Sequence, residues 1–117
     1  MLSQRHRFHG HGSLRYVYKH GESVRGRVIS LKYTTNPRRR HSRISVVVSK
    51  KVMKSAVGRN RIRRRVYEVM RELLPSLDAT GTYDVAVLVF SSEVATMPHD
   101  ELRTIIRSQC KAAGMLS

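Results

Sequence analysis

The sequence has few acidic residues, a single cysteine and no long apolar segment. Its eight Asp and Glu residues are scattered, whereas nucleases that cleave with their own side chains commonly cluster carboxylates around metal ions. Cys110 has no second cysteine to pair with, which fits a reducing compartment and a small buried helix residue. No apolar run approaches the roughly 20 residues that span a bilayer. We therefore expect a cytoplasmic protein that supplies no catalytic residue.

Positive charge is abundant and unevenly distributed. The chain carries 23 Lys and Arg residues and a formal net charge of +15. Residues 1–75 hold 20 of these cations and three of the eight acids, a local charge of +17, so the remaining residues carry −2. The excess therefore belongs to the first two thirds of the chain. Such a basic surface is typical of proteins that bind a polyanion, above all nucleic acid.

The densest group of cations lies in residues 50–65, where Lys50, Lys51 and Lys54 precede five arginines. Like charges on neighbouring helical positions repel by a few tenths of a kcal/mol per pair, so helix formation does not favour them. Guanidinium groups suit phosphate because they present planar, forked donors and stay charged. The run therefore predicts contact with a nucleic-acid backbone, in preference to a charged face that is merely solvated.

The same segment has the periodicity of an amphipathic helix. At about 100° per residue, apolar side chains from Ile62 to Leu73 fall on one side and predict a stripe that faces the core. Arg65 lies on one flank with Glu68, three residues further on, and Glu72, two helical turns further on, and it is expected to pair with one of them. The other flank has few acids and predicts a docking face, which consists of Asn60, Arg63, Arg64, Tyr67 and Arg71.

Hydrophobic periodicity along the chain predicts the element order α-β-β-α-β-α, an α/β (α+β) sandwich in a single domain over residues 1–117. Pro75 is expected to end the long helix, and Gly114 the last one. The predicted helices cover residues 14–20, 55–74 and 98–113, and the predicted strands cover residues 25–35, 43–49 and 83–90.

Two segments outside these elements also carry basic or histidine clusters. Residues 1–12 are interpreted as a mobile arm, in which His6, His9 and His11 have a spacing that could bind a metal. A disordered arm lying near phosphate is the favoured interpretation, so no metal site is predicted. Residues 36–41 form a predicted turn with three consecutive arginines, which adds to the basic surface.

Three segments carry a family resemblance. ISVVVSKKVMKSAVGRNRIRRRVYEVMREL combines a valine-rich strand, a Ser-Lys-Lys step and an Arg-Asn-Arg sequence that opens a basic helix. LRYVYKHGESVRGRVISLKY precedes it and YDVAVLVF follows it. These segments resemble the central motif, the first helix and strand, and the late strand of the protein subunit of bacterial ribonuclease P. The similarity covers about residues 5–113, and its central motif is specific.

The resemblance implies a fold related to a ribosomal-protein domain, with a left-handed βαβ crossover. It also implies a catalytic RNA partner that holds Mg²⁺ and removes the 5′ leader of precursor tRNA, while the protein binds that RNA and grips the leader in a cleft between the first helix and the sheet. The residues implied in catalytic-RNA binding are Lys50, Lys51, Arg59, Asn60, Arg61, Arg63 and Arg64. Those implied in the leader cleft are Leu14, Tyr18, Lys32 and Ser49.

Two cleft positions depart from the family pattern, because Leu14 and Lys32 stand where aromatic residues are typical. A stacked base is worth about 1–3 kcal/mol, so a cleft with fewer aromatics is expected to rely more on charge. An alternative function is that of a structural ribosomal protein that binds rRNA, which would share the composition. A regulator of double-stranded DNA is less favoured, since an arginine-rich flank suits backbone contact more than base readout.

Overall fold

A computed structural model describes residues 11–36 and 41–116 as three helices, one four-stranded sheet and a 3₁₀ turn. None of these helices is long and apolar enough to cross a bilayer. The predicted order is confirmed, with a short first strand and the 3₁₀ turn in addition. The helices are α1 (His11–His20), α2 (Ala56–Thr80) and α3 (His99–Ala112), the strands are β1 (Glu22–Val24), β2 (Ile29–Thr35), β3 (Arg43–Val48) and β4 (Tyr83–Val89), and the 3₁₀ turn is Ser92–Ala95.

The sheet has the strand order β1-β2-β4-β3, so β4 lies between two strands that precede it in the chain. β4 pairs antiparallel with β2, where Lys32 faces Ala86, and parallel with β3, where Val48 faces Val89. Parallel neighbours need a long crossover, and α2 supplies it. The βαβ connection is therefore confirmed, and its left-handed sense stays a prediction.

The main core lies between one face of the sheet and the helices α2 and α3. Alternate strand residues point to this face, as the fully buried Ile29 and Leu31 of β2 show. The apolar stripe predicted for α2 is confirmed, because Ile62, Val66 and Met70 are fully buried in the same cluster. Burial of such side chains is the main stabilising contribution, at roughly 1.5–3 kcal/mol each.

Helix α1 covers part of the opposite face of the sheet. It contacts β2 and β4, and its Tyr18 lies against Lys32, which points away from the main core. Val17 and Ala86 are fully buried yet belong to no part of the main core cluster. Most side chains on this second face are not part of the main core cluster, and a groove remains open beside α1.

Helix α2 begins as predicted and ends later than predicted. The Ser55 hydroxyl accepts a hydrogen bond from the Gly58 backbone N–H at 3.1 Å and caps the first turn. The expectation that Pro75 ends the helix is wrong, since the helix continues to Thr80. A proline inside a helix removes one backbone donor and costs about 3 kcal/mol or more. Burial of Leu74 and Leu77 on either side of this exposed proline offsets that cost.

The strand predicted over residues 25–35 begins later than expected, at Ile29. The residues before it form a turn, in which the Gly26 N–H donates to the Ser30 hydroxyl at 3.0 Å. A Cβ atom on Gly26 would lie 2.3 Å from the Ile29 carbonyl oxygen, so the turn needs glycine. Only from Ile29 onward does the chain pair with β4.

The observed ends of α1 and α3 can be compared with the helix limits predicted from the sequence. α1 starts at His11, so residues 11 and 12 of the predicted arm are helical, and the rest of that arm lies outside the described residues. The N-cap of α3 is Pro98, and the helix ends at Ala112, one residue earlier than expected. Gly114 has φ 81°, a left-handed conformation that favours glycine, and the predicted stop is confirmed.

Candidate nucleic-acid interface

A groove of about 380 Å³ runs along the second face of the sheet, next to α1. β2 contributes Ser30 and Lys32, and β4 contributes Leu88 and the residue that follows the strand, Phe90. Arg25, from the turn before β2, lies at the same end as Phe90. The charged side chains among the lining residues are all cations, so the groove suits an anionic ligand.

Tyr18 and Lys32, both predicted in the cleft, are brought together. The Lys32 Nζ atom lies 5.9 Å from the centre of the Tyr18 ring and 3.5 Å from the Tyr18 carbonyl oxygen. A contact of this kind at an exposed site is worth about 0.5–1 kcal/mol. Partial burial raises the pKa of the Tyr18 phenol, so the hydroxyl is protonated at neutral pH. Ring and ammonium together offer a base-stacking surface beside a phosphate-binding charge.

The other two predicted cleft residues lie at the margins. Leu14 is one helical turn before Tyr18 and is half-buried. Ser49 follows β3 and is exposed. Because Val48 pairs with Val89, Ser49 leaves the sheet at the same end as Phe90. Neither Leu14 nor Ser49 lines the groove itself, whose lining comes from β1, β2, β4 and the turn before β2.

Phe90 was not singled out as a site residue from the sequence, where it appeared only as the end of an apolar strand. Its side chain is 53% exposed and lines the groove. Strand alternation could have indicated its direction, because Ala86, Leu88 and Phe90 share one face. Its exposure could not have been foreseen, since it depends on which face of the sheet the helices leave uncovered.

The β3–α2 loop presents the predicted lysines at this end of the sheet. Backbone N–H groups of Val52 and Met53 both donate to the Ser49 carbonyl, at 3.1 and 3.2 Å, and close a tight turn. Lys50 and Lys51 project from that turn and are exposed. No hydrogen bond or ion pair within the described part of the chain engages either ammonium group.

Arg59 has a structural role that its place in the basic run did not indicate. Its guanidinium Nη1 atom donates to the carbonyl oxygens of Met53 and Lys54, at 3.0 and 2.8 Å. The side chain is half-buried, and the Met53 side chain lies over Gly58, where a Cβ atom would be 2.7 Å from the thioether. Arg59 thus fixes the loop that carries the lysines, and only part of its guanidinium is left for phosphate.

The remaining arginines at the start of α2 differ in whether another residue forms a hydrogen bond or ion pair with them. Arg63 donates to the Asn60 side-chain oxygen at 2.8 Å, so these two predicted residues hold each other. Arg61 and Arg64 are exposed, and neither forms a hydrogen bond or ion pair to residues 11–36 or 41–116. We refer to Lys50, Lys51, Arg61 and Arg64 as the basic end of the sheet.

The predicted division of α2 into a paired and an unpaired flank is corrected in part. Arg65 does not pair with Glu68 or Glu72, but donates to the Val94 and Met97 carbonyl oxygens and holds the 3₁₀ turn. Arg71, predicted on the docking face, pairs with Glu68 at 3.0 Å.

Tyr67, also predicted on the docking face, and Glu72, predicted on the opposite flank, are engaged by other elements as well. Tyr67 is buried, and its hydroxyl accepts from the Val46 N–H at 3.4 Å. The carboxylate of Glu72 is engaged from another helix, since it accepts from Arg103 of α3 at 2.8 Å. That hydrogen bond lowers the pKa of Glu72. The docking face therefore narrows to the N-terminal turns of α2.

The acidic side chains are dispersed and mostly engaged. Asp84 accepts a bidentate pair of hydrogen bonds from the buried Arg43, both 2.9 Å long, and a third from Asn36. Asp78 caps the Ser42 backbone N–H at 3.0 Å. In the ranges that the structure describes, no three His, Cys, Asp or Glu residues are grouped to hold a metal ion. The arginine cluster predicted at residues 38–40 and most of the histidine arm lie outside those ranges.

Cys110 is fully buried on α3, as expected for a core residue. Burial raises the pKa of its thiol to about 12. The thiolate that nucleophilic chemistry requires is therefore absent at neutral pH.

An α/β fold with a cationic groove that opens onto a basic end of its sheet defines a nucleic-acid-binding class of protein. The family model for ribonuclease P matches residues 2–114. The ribonuclease P protein component of Pseudanabaena sp. (strain PCC 6903) is 33% identical over 111 residues, which cover 91% of this chain and 92% of that protein. That of Chloroflexus aurantiacus (strain ATCC 29366 / DSM 635 / J-10-fl) is 42% identical over 77 residues, 62% of this chain and 55% of the relative.

Solved structures agree on the fold. The ribonuclease P protein of Staphylococcus aureus superposes with a TM-score of 0.81 at 23% identity, covering 96% of this chain and 98% of that one. The protein from Thermotoga maritima gives 0.79 at 21% identity, covering 91% and 96%. The chain belongs to the ribonuclease P protein family. It is a protein component of that tRNA-processing ribonucleoprotein, which confirms the resemblance and leaves the ribosomal alternative without support.

Proposed function

We propose that this protein is a non-catalytic subunit that binds the catalytic RNA through the basic end of its sheet and the 5′ leader of precursor tRNA through the groove. The observation that carries the proposal is the contact of Tyr18 with Lys32, which lines a cationic groove on the sheet, while Lys50 and Lys51 follow β3 at the end of the sheet where Phe90 lies. A single-stranded RNA in the groove would meet a ring and an ammonium group, and a structured RNA at the basic end would meet unpaired cations.

The chemistry of the carboxylates supports a non-catalytic role. Two-metal hydrolysis needs carboxylates that converge on ions about 3.5–4 Å apart. Here Asp84 on β4 and Glu68 and Glu72 on α2 are each engaged by a different arginine. Mg²⁺ is accordingly proposed to be held by the partner RNA, with the protein neutralising phosphates nearby. Its place of action is proposed to be the cytoplasm.

The test is cleavage of a 5′-labelled precursor tRNA at low Mg²⁺, with the catalytic RNA alone, the protein alone, and both together. We expect cleavage only in the mixture, because protein cations lower the Mg²⁺ needed to offset phosphate repulsion. Cleavage by the protein alone would contradict the non-catalytic role. Cleavage by the RNA that is unchanged when the protein is added would contradict the cofactor role.

A second arm tests the groove. Tyr18→Ala in the reconstituted complex should weaken binding of precursor tRNA about 5- to 150-fold, the equivalent of a lost stacked base. Mature tRNA has no leader, so its affinity should not change. Tyr16→Ala is the matched control, since Tyr16 is an exposed aromatic on the same helix and contacts His20 outside the groove. Equal losses with precursor and mature tRNA would exclude leader binding by Tyr18.

A further inference from the structure

Phe90 is the exposed aromatic side chain at the end of the groove farthest from α1. We propose that it is a second stacking platform, which holds a different base of the leader from the one near Tyr18; this inference rests on the proposed function. Phe90 is 53% exposed, although a phenyl ring has no polar atom that water can hydrogen-bond. A single exposed apolar side chain is ordinary on a protein surface. Phe90 stands out because it lines a groove together with Leu88 and the cations Arg25 and Lys32.

The position of the ring is fixed by the sheet. The Phe90 backbone N–H donates to the Val28 carbonyl oxygen at 2.8 Å, which extends the strand pairing by one residue. Ala86 pairs with Lys32, and Phe90 follows four residues later on the same face. At about 3.3 Å per residue, Phe90 therefore lies roughly 13 Å along β4 from the Tyr18–Lys32 contact. A platform on a paired strand is preorganised, so little ordering cost accompanies binding.

The chemistry around the ring favours single-stranded RNA over a protein segment. Arg25 and Lys32 line the groove with Phe90 and Leu88, and no acid lines it. Neither cation makes an ion pair in the described ranges, so an apolar peptide would leave two charges uncompensated. A nucleotide supplies both partners at once, since its base stacks on a ring and its phosphate meets a cation.

Phe90 also adds a ring to a groove that has few. Of the four residues predicted in the cleft, Leu14, Lys32 and Ser49 are not aromatic, so only Tyr18 offers a ring near α1. Phe90 supplies a second ring at a different point along the path. The leader is thus held by two rings about 13 Å apart along the strand, with Lys32 and Arg25 between and beside them.

The experiment uses the protein reconstituted with its catalytic RNA, and precursor tRNAs that carry 2-aminopurine at one leader position each. Stacking quenches this base, so a scan along the leader locates each platform. We expect Phe90→Ala to restore fluorescence at one position and Tyr18→Ala to restore it at another. Phe90→Ala and Phe90→Leu should weaken precursor binding about 5- to 150-fold, Phe90→Trp should retain it, and mature tRNA should be unaffected. Tyr16→Ala, which removes a ring that is 58% exposed, should change neither readout.

Each other result has a distinct meaning. If the leader strengthens binding but Phe90→Ala and Phe90→Leu bind precursor like the unsubstituted protein, the inference is overturned and the proposed function stands. If the unsubstituted complex binds precursor and mature tRNA equally, the leader-binding function itself fails. If the Phe90 variants weaken binding of the catalytic RNA, or of mature tRNA to the same extent, the ring contacts another RNA and the inference is also wrong. Phe90→Leu retains a large apolar side chain. Its unfolding midpoint, compared with that of the unsubstituted protein, shows whether the variant is folded.

Discussion

Removal of Arg61 and Arg64 together tests whether the start of α2 contacts phosphates of the catalytic RNA. Both guanidinium groups are exposed and make no ion pair within residues 11–36 and 41–116, so each is available for one phosphate. The matched control is Arg71→Ala with Arg103→Ala. It removes the same two charges, but from side chains that are paired with Glu68 at 3.0 Å and Glu72 at 2.8 Å.

The magnitude follows from counterion release. Each phosphate contact contributes about 0.7–0.9 to the slope of log affinity against log salt, so two lost contacts flatten the slope by about 1.4–1.8. A fourfold rise in salt spans about 0.6 log units, over which that difference amounts to roughly one log unit of affinity. The Arg61/Arg64 double variant should therefore lose about tenfold less affinity than the unsubstituted protein between about 50 and 200 mM salt.

The assay is equilibrium binding of the protein to its catalytic RNA at several salt concentrations in that range. The Arg71/Arg103 control should retain nearly the full slope, because its side chains are engaged with carboxylates. Equal flattening by both double variants would show that net charge, and not this surface, determines binding. A full slope in the Arg61/Arg64 variant would remove the start of α2 from the interface.

Three further predictions concern stability. Arg59→Ala should lower the free energy of unfolding by about 1–3 kcal/mol, because two loop carbonyls lose a charged donor; an unchanged urea midpoint would contradict the loop-fixing role. Asp84→Ala should cost about 3–5 kcal/mol, since it leaves the guanidinium of Arg43 buried without its carboxylate, and a loss below 1 kcal/mol in the same urea titration would refute this. Burial raises the pKa of the Cys110 thiol from 9.0 to about 12, so between about pH 9 and 12 it loses its proton only on unfolding. Stability should then fall by up to about 1.4 kcal/mol per pH unit relative to a Cys110→Ala variant, and parallel pH profiles of the two would contradict the buried-thiol assignment.

The sequence was a good guide wherever structure is local or periodic. The apolar stripe of α2, its start near Ser55 and the Gly114 stop depend on residues within one or two turns, and all three are confirmed. The family motif at the β3–α2 junction is likewise a contiguous stretch. These features can be recognised in one segment without knowledge of what packs against it.

The errors lie where a distant element decides the outcome. Arg65 was expected to pair with an acid on its own helix, but it donates to a backbone carbonyl of the 3₁₀ turn. Glu72 is paired with Arg103 of α3 instead. Pro75 was expected to stop α2, but leucines on both sides are buried in the core and hold the helix through it. The exposure of Phe90 depends on which face of the sheet the helices leave uncovered. None of these contacts is encoded by spacing along the chain.

The strand order determines when the groove can form during synthesis. β2 and β3 are consecutive in the chain but do not touch as neighbours, because β4 is inserted between them. β3, which precedes Ser49 and the two lysines, pairs only with β4 among the described strands. It can therefore join the sheet only after residues 83–89 have been synthesised, some 40 residues later. Such non-local pairing folds slowly compared with a hairpin. The groove therefore forms only after β4 has been synthesised. A nascent chain already carries the exposed arginines of α2 at a stage when the groove proposed for the leader does not yet exist.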